Sequence, residues 1–106
     1  METFEEAKVK MKAAKACKDE FEIVDQLDSW QEFFVHENAP YWCWWYAQKV
    51  VGGRFEPGEA AIAKNAYYSY YYARDVVESR WEPGEKAISK NARFSQLYQE
   101  FIREAT

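Results

Sequence analysis

The stretch that decides the fold occurs twice in this chain. Residues 50–65 read VVGGRFEPGEAAIAKN and residues 76–91 read VVESRWEPGEKAISKN, so the same residue types recur at an offset of 26. Self-similarity at a fixed period is the sequence signature of a repeat architecture, in which each unit packs against its neighbours. The chain is therefore predicted to contain tandem units of about 26 residues.

The same offset continues upstream of each copy, where apolar residues follow helical spacing. In three successive copies the matched positions are Trp42, Trp45, Tyr46 and Val50; Tyr68, Tyr71, Tyr72 and Val76; and Phe94, Leu97, Tyr98 and Ile102. Steps of three and four residues place such side chains on one face of an α-helix. Each unit is thus predicted to be a long helix, a tight turn and a short helix, the last introduced by Glu-Pro-Gly-Glu.

Local signals agree with these boundaries. Pro40 suits the first turn of a helix, Gly52-Gly53 suits a helix end, and Asn65 and Asn91 are good N-cap residues for the following helices. Further upstream, Ser29-Trp30-Gln31-Glu32 is typical of a capping box. These signals predict an all-α protein of six or seven helices.

The expected architecture is a compact helical bundle or short helical-repeat solenoid of helix-turn-helix units in a single domain, residues 1–106. Within it we distinguish an amphipathic N-terminal helix (1–18), an acidic segment that resembles a degenerate repeat (19–37), repeat 1 (38–64), repeat 2 (65–90) and a C-terminal half-repeat cap (91–106). In the N-terminal helix, Phe4, Ala7, Met11 and Ala14 share the side predicted to be buried.

Composition excludes several function classes. Aromatic residues make up 19% of the 106 residues and the net charge is −4, so disorder is excluded and tight non-specific binding to duplex DNA is disfavoured. The two cysteines lack the spacing of a zinc site, and no apolar run is long enough to span a membrane. We expect no metal, no cofactor and no membrane association, and a cytoplasmic location.

Charge is segregated along the chain. Residues 19–48 contain seven carboxylates and no lysine or arginine, whereas residues 1–18 contain five lysines. Such a run is commonly a solvated helix face, and it can also steer a protein toward a basic groove. The candidate partner-binding residues are Glu20, Glu22, Asp25, Asp28, Glu32 and Glu37, with the neighbouring aromatic residues Tyr41 and Trp44.

The aromatic surplus has two interpretations. Tyr41, Trp44, Tyr67 and Tyr70 occupy equivalent outer positions and could stack on the bases of single-stranded nucleic acid. The equivalent positions of the last copy are polar, however, namely Arg93, Gln96, Glu100 and Arg103. Because a terminal repeat needs a polar outer face, this difference favours packing between repeats as the main role of the aromatic residues.

No catalytic residues are predicted. The Glu56/Glu59 and Glu82/Glu85 pairs flank Pro-Gly at two helix starts, which indicates helix-capping groups rather than an acid and base. His36 stands alone and is expected to be a surface or hydrogen-bonded residue. Arg54 and Arg80 are expected to form ion pairs at the turns, and Cys43, which matches Ser69 and Ser95, suits a close helix contact.

The segment 65–91, NAYYSYYYARDVVESRWEPGEKAISKN, resembles a short tandem α-helical repeat of uncharacterised bacteriophage and bacterial proteins, in which segments like YYYARDVV and EPGEKAI alternate. The resemblance covers about residues 38–106 and residues 1–37 depart from it. It implies a small phage-type accessory protein, such as an anti-CRISPR-like inhibitor.

The function hypothesis at this point is a non-catalytic protein-binding module that inhibits a host protein or defence complex. Its acidic surface would dock on a basic, nucleic-acid-binding groove of a host protein. Two alternatives stay open: a single-strand nucleic-acid module that uses the stacked aromatic residues, and a self-associating structural repeat protein. Nucleic acid is the less expected partner, and either a monomer or a homodimer is compatible with the sequence.

Overall fold

The computed structural model describes residues 2–105, and within them the protein is all-α, as the repeat pattern predicts. These residues contain eight α-helices rather than the predicted six or seven, because the acidic segment forms an additional helix, Lys18–Asp25. They are α1 Phe4–Ala13, α2 Lys18–Asp25, α3 Trp30–Val35, α4 Ala39–Tyr46, α5 Glu59–Ile62, α6 Ala66–Tyr72, α7 Glu85–Ser89 and α8 Ala92–Ala105. Helices α4 and α6 continue into π-helical turns, Ala47–Val51 and Ala73–Val77. Short 3-10 turns, Glu56–Gly58 and Glu82–Gly84, precede α5 and α7.

Equivalent residues mark the helix ends of successive copies. Asn65 Oδ1 accepts a hydrogen bond from Tyr68 N at 3.0 Å, and Asn91 Oδ1 accepts one from Phe94 N at 3.1 Å, which confirms both as N-caps. Each π-helical turn ends at a left-handed residue, Gly52 (φ 73°) in the first repeat and Glu78 (φ 61°) in the second. The backbone thus repeats even where the residue type does not.

The short helices lie between the long ones. Helix α5 packs against α4 and α6, helix α7 packs against α6 and α8, and the whole measures 40 × 23 × 23 Å. The contact of α4 with the turn after it is very close, because a Cβ atom at Gly58 would lie 2.8 Å from Cys43 Cβ. Cys43 is therefore a small residue at a close contact, as its alignment with Ser69 predicts.

The N-terminal region differs from the single helix predicted for residues 1–18. Helix α1 ends at Ala13, and α2 begins at Lys18. Lys15 takes a left-handed conformation (φ 63°), and Ala16 N donates to Met11 O at 3.1 Å, so the chain turns at this point. No glycine marks this helix end, which is why the sequence did not reveal it.

Three of the four residues predicted for the buried side of the N-terminal helix are buried, whereas Ala14 lies just after α1 and is half-buried. Phe4, Ala7 and Met11 are at most 5% exposed and belong to the same buried cluster as residues of the repeats. Helix α1 contacts α2 and the π-helical turn after α4. Residues 2–16 therefore cover the first repeat rather than extending away from it.

Candidate protein-interaction surface

The acidic segment, residues 19–37, runs through α2, the turn after it, α3 and the turn that leads to α4. Six of its seven carboxylate residues are exposed: Asp19, Glu22, Asp25, Asp28, Glu32 and Glu37. Within the described residues 2–105, no lysine or arginine forms an ion pair with any of the seven. The six exposed carboxylates thus present their negative charge to solvent without an ion-pair partner among the described lysines and arginines.

Glu20 differs from the other candidate residues because its carboxylate is already engaged. Glu20 Oε2 accepts a hydrogen bond from Trp42 Nε1 at 2.7 Å and a longer one from Asn38 Nδ2 at 3.5 Å. These bonds join α2 to the start of α4. Glu20 therefore positions the acidic segment and is removed from the set of carboxylates available to a partner.

The predicted capping box at α3 forms in an altered way. Ser29 Oγ accepts from Glu32 N at 3.3 Å, as expected for an N-cap, but the Glu32 carboxylate accepts from Asp28 N at 2.9 Å instead of from Ser29 N. Glu32 is consequently tied to the start of α3. Of the six candidate carboxylates, four stay exposed without a side-chain hydrogen bond among the interactions described for residues 2–105: Glu22, Asp25, Asp28 and Glu37.

A buried lysine fixes the acidic segment on α1. Lys8 Nζ donates to Asp25 O at 3.0 Å and to Leu27 O at 2.7 Å, and it pairs with Glu5 at 3.2 Å. Carbonyl groups at the end of a helix carry partial negative charge, so a cation is stabilising there. The position of Lys8 between these carbonyl groups is a feature that only the structure shows.

Tyr41 and Trp44 extend the acidic segment along α4. Both side chains are half-buried, and both rings contact Tyr68, at centroid distances of 5.7 and 5.5 Å. Burial raises the pKa of Tyr41, and the charge of Glu20 raises it further. The structure therefore brings Tyr41 close to the acidic segment, while one side of each ring packs against the second repeat.

The proposed nucleic-acid platform is not a row of free ring faces. Tyr67 is 46% exposed, but Tyr70 is only 6% exposed, and its ring contacts Tyr71 and Phe94 at 4.9 and 5.8 Å. A base needs an open ring face to stack on, and Tyr70 has too little exposed surface to provide one. The outer aromatic residues largely fill the contact between neighbouring long helices, while the polar residues at equivalent positions of α8 are exposed.

The two repeated turns contain a hydrogen-bond network that the sequence did not reveal. Glu59 was expected to cap a helix, but no side-chain cap forms there, and its carboxylate instead accepts from Arg54 Nε at 2.9 Å and from the Tyr72 hydroxyl at 2.7 Å. The Tyr72 hydroxyl also accepts from Phe55 N at 2.9 Å. The turn is therefore held by an Arg–Glu–Tyr triad that connects it to the next long helix.

The second repeat reproduces this triad. Glu85 accepts from Arg80 Nε at 2.6 Å and from the Tyr98 hydroxyl at 2.7 Å, and the same hydroxyl accepts from Trp81 N at 2.9 Å. The expected ion pairs of Arg54 and Arg80 are thus confirmed, whereas Glu59 and Glu85 were wrongly predicted to be caps. The signal that could have identified the triad is a tyrosine 13 residues after each glutamate.

An analogous arrangement joins the N-terminal region to the end of α4, with different residues. Tyr46 precedes Tyr72 by one repeat, and its hydroxyl donates to the carboxylate of Glu2. Lys10 Nζ donates to the same carboxylate at 2.5 Å. Residues from α1 and the segment before it therefore supply the cation and carboxylate that Arg54 and Glu59 supply to Tyr72.

The pKa shifts in these triads have clear causes. Burial alone would raise the pKa of Glu59, but Arg54 and the Tyr72 hydroxyl together hold it below its usual value. Arg80, followed by Tyr98, lowers the pKa of Glu85 against the opposing effect of burial. Burial and the neighbouring Glu85 raise the pKa of Tyr98 to about 12. Two carboxylates in matching, fully paired environments are typical of a structural role.

His36 and Cys43 occupy structural environments. His36 Nδ1 accepts from Asn38 N at 3.0 Å, and its ring stacks on Trp42 at 4.3 Å. Cys43 is fully buried, which raises the pKa of its thiol to about 12. In the part of the chain that the structure describes, no three His, Cys, Asp or Glu side chains are grouped to hold a metal ion, and no helix has the length and apolarity to cross a bilayer.

Comparison with known proteins gives no family for this chain. No family model matches the sequence. No curated protein is significantly similar to it. No solved structure matches its fold. The likeness of residues 65–91 to phage-type repeats therefore stays a prediction from the sequence.

Proposed function

We propose that this protein is a non-catalytic binding module that docks its acidic segment on a basic surface of another protein. The observation that carries the proposal is the set of exposed carboxylates, Glu22, Asp25, Asp28 and Glu37, with no ion pair to lysine or arginine in residues 2–105. Elsewhere in the molecule Glu2, Glu59 and Glu85 are held by cations. Unpaired surface charge of one sign steers association with a surface of opposite sign.

Tyr41 and Trp44 would extend the contact at the edge of the acidic segment. Both are half-buried against Tyr68, so their orientation is fixed before a partner binds. Aromatic anchors that are already ordered lose little conformational entropy on binding, and Tyr and Trp are enriched among the residues that dominate interface energies. We assign long-range attraction to the carboxylates and short-range contact to the two rings.

Contacts with α1 and α4 hold the acidic segment in a fixed position. Lys8 holds the end of α2, and Glu20 joins α2 to α4 through Trp42. These contacts fix the acidic segment relative to the repeats. A preorganised surface binds with a smaller ordering cost than a flexible acidic tail of the same charge.

The finer proposal is an inhibitor of the phage type, directed at a host protein or defence complex with a nucleic-acid-binding groove in the host cytoplasm. It is supported by the resemblance of the repeats and by the chemistry of the surface, since carboxylates at fixed positions can take the place of phosphate groups in a basic groove. The protein would then block the groove without chemistry of its own.

The test compares three forms of the protein as bait in bacterial lysate, with and without nuclease. The first is wild type, the second carries Glu22→Lys, Asp28→Lys and Glu37→Lys, and the third carries Glu56→Lys, Glu82→Lys and Glu104→Lys as a control with the same change in charge. All six positions are exposed. We expect a nuclease-resistant protein partner with wild type and with the control, and much weaker capture with the acidic-segment variant.

Association kinetics with the captured partner complete the test. Because steering by charge acts on encounter, the acidic-segment variant should associate about tenfold or more slowly at low salt, and the difference should shrink as salt is added. Equal association rates for all three forms would contradict the proposal. Capture that disappears with nuclease, or quenching of tryptophan fluorescence by a single-stranded oligonucleotide, would replace it with nucleic-acid binding.

A further inference from the structure

Three lysines of the repeat region line one open groove, which we name the lysine groove. Lys64, Lys86 and Lys90 line this groove of about 570 Å³ between the end of α5, the start of α6 and α7. The other residues that line it are uncharged: Ala63, Ala66, Pro83, Ala87 and Asn91. Among residues 2–105 no Asp or Glu side chain lines it, so its three charges are all positive.

The three lysines are accessible to a ligand. All three are exposed, and within residues 2–105 none of them forms an ion pair. Arg54 and Arg80, in the neighbouring turns, are by contrast bound by Glu59 and Glu85. Like charges that share one groove raise its potential and attract a ligand of the opposite sign. The ligand expected here is therefore anionic.

The repeat fold explains only part of this charge. Lys64 and Lys90 follow the short helices α5 and α7, and a cation is stabilising at the end of a helix. Lys86 is instead the second residue of α7, and its equivalent in the first repeat is Ala60. At the same offset of 26, Lys64 corresponds to Asn38. The equivalent positions one repeat earlier thus carry one cation instead of three, so the fold does not require the other two.

The uncharged lining indicates which kind of anion fits. Ala63, Ala66, Pro83 and Ala87 offer small apolar surfaces, and no aromatic ring of the described residues lines the groove. Single-stranded nucleic acid binds through bases stacked on aromatic rings, and a net charge of −4 opposes binding to a duplex. A polypeptide that carries carboxylates beside small apolar side chains can contact both the lysines and the apolar lining.

We propose that the lysine groove is a second interaction site, which binds a stretch of another protein in which carboxylate residues alternate with small apolar residues. Successive side chains of an extended chain point to opposite sides. One set can therefore face the lysines while the other contacts Pro83 and Ala87. The site is separate from the acidic segment, and the proposal does not depend on what the acidic segment binds.

The probe is a fluorescently labelled peptide in which glutamate and alanine alternate, titrated with the intact protein at low salt and followed by anisotropy. We expect saturable binding with a Kd below about 1 mM. Binding should weaken as salt is added, because exposed charges are screened. A peptide of the same length with glutamine in place of glutamate should not bind, since it lacks the charge that the lysines attract.

Two matched variants locate the binding site. Lys64→Asn with Lys86→Ala gives the groove the residues found at the equivalent positions of the first repeat, and it should weaken peptide binding at least about tenfold. Lys12→Asn with Lys49→Ala makes the same change in net charge at two exposed lysines outside the groove, and it should leave the Kd within about twofold of wild type. Lys90→Glu is a further groove variant, which keeps the test decisive if the first does not fold.

The results that would overturn the proposal differ in what they put in its place. Absence of saturable binding up to about 1 mM peptide, equal binding of the glutamine peptide, or equal binding by the groove variants and wild type would remove the groove as a site for carboxylates. A single-stranded oligonucleotide that binds more tightly than the peptide, and loses binding in the groove variants, would make nucleic acid the ligand.

Sedimentation of the protein alone at low salt tests the remaining occupant, a second copy of this chain. Self-association that is lost both in the groove variants and in the variant with Glu22→Lys, Asp28→Lys and Glu37→Lys would make the acidic segment of a second copy the ligand. That result would overturn the assignment to a different protein. A monomer that binds the glutamate peptide supports it.

Discussion

The repeat region, from α4 to α8, and the N-terminal region, from residue 2 to α3, both supply hydrogen-bond partners to buried tyrosine hydroxyls, but they use different residues. In the repeat region, the buried hydroxyls of Tyr72 and Tyr98 are each satisfied by a local turn that supplies an arginine, a glutamate and a backbone N–H. Tyr46, at the end of α4, has no such turn before it, and the N-terminal region supplies Glu2 and Lys10 in its place.

This comparison shows that the tyrosine hydroxyl has a hydrogen-bond partner in every copy, although the residues that supply the partner differ. A tyrosine hydroxyl at this position is taken out of water, so it needs a hydrogen-bond partner wherever the partner comes from. Inside the repeat the partner is local and recurs at a fixed offset. No turn of the same type precedes Tyr46 in the described residues, and Glu2 supplies the hydrogen-bond partner of its hydroxyl instead.

The largest effect should come from the glycine contact, which only the repeat region has. Gly84→Val should lower the free energy of unfolding by about 3 kcal/mol, because its side chain meets Ser69 and the ring of Trp81 with no room to relax. Urea denaturation is the measurement. Gly53→Ala, where an added Cβ meets nothing within 4 Å, should change stability by less than about 0.5 kcal/mol. Similar losses for the two variants would contradict the close-contact account.

Removing tyrosine hydroxyls compares the two regions directly. Tyr72→Phe should cost about 2 kcal/mol, because it leaves the buried Phe55 N–H and the Glu59 carboxylate without this partner. Tyr46→Phe should cost less, about 1 kcal/mol, since its hydroxyl contacts the Glu2 side chain, which also has Lys10. The comparison uses urea denaturation of both variants with Tyr98→Phe as a second repeat example. If Tyr46→Phe were the most damaging, the N-terminal contact would be the stronger one.

Acid should weaken the triads of the repeat region. The pKa values of Glu59 and Glu85 lie below their usual value in the folded protein, so both carboxylates stabilise the fold at pH values above the unfolded pKa of about 4.3. This contribution is lost as the pH falls through the lowered folded values. The double variant Glu59→Gln, Glu85→Gln lacks it at every pH.

The corresponding measurement is the unfolding free energy between about pH 7 and pH 3. The stability gap between wild type and the double variant should be constant above about pH 5 and should narrow below about pH 4. Glu56→Gln with Glu82→Gln changes the neighbouring exposed carboxylates of the same turns and serves as the control. A gap that widened on acidification would show that these carboxylates are not held in their charged form.

The smallest effect concerns the end of the second long helix. Glu78 has φ 61° where the first repeat has Gly52 at φ 73°, and a left-handed conformation is unfavourable for a residue with a Cβ atom. Glu78→Gly should raise stability by about 0.5–1 kcal/mol, after the greater freedom of glycine in the unfolded chain is allowed for. Thermal unfolding would detect the rise, and Ser79→Gly is the matched control next to it. A loss of stability would mean that the Glu78 side chain has a role beyond the turn.

Much of the repeat region could be predicted from the sequence. The offset of 26, the caps at Asn65 and Asn91 and the small residue at Cys43 all follow from local or periodic signals, and the structure contains each of them. The role of Glu59 was not predicted correctly. A glutamate near a helix start is typical of a cap, and only the distance to a tyrosine on the next helix shows that it binds elsewhere.

Less of the N-terminal region could be predicted. The break at Lys15 lacks a glycine, and the helix α2 lacks a capping side chain, so neither boundary has a strong local signal. In the candidate surface, the acidic character of residues 19–37 was evident from the sequence alone. That Glu20 is bound to Trp42 while Glu22 is exposed could not be predicted, because it depends on how α2 lies against α4.

By itself, the sequence determined the all-α class, the repeat length, the helix ends that carry special residues and the segregation of charge, because each of these depends on residue type and on spacing along the chain. The tertiary structure alone decided how the Arg–Glu–Tyr triads form, how Glu2 and Lys10 complete Tyr46, and which carboxylates are left exposed. These outcomes depend on distances between residues far apart in the chain, which are set only when the helices pack and bury their polar groups together.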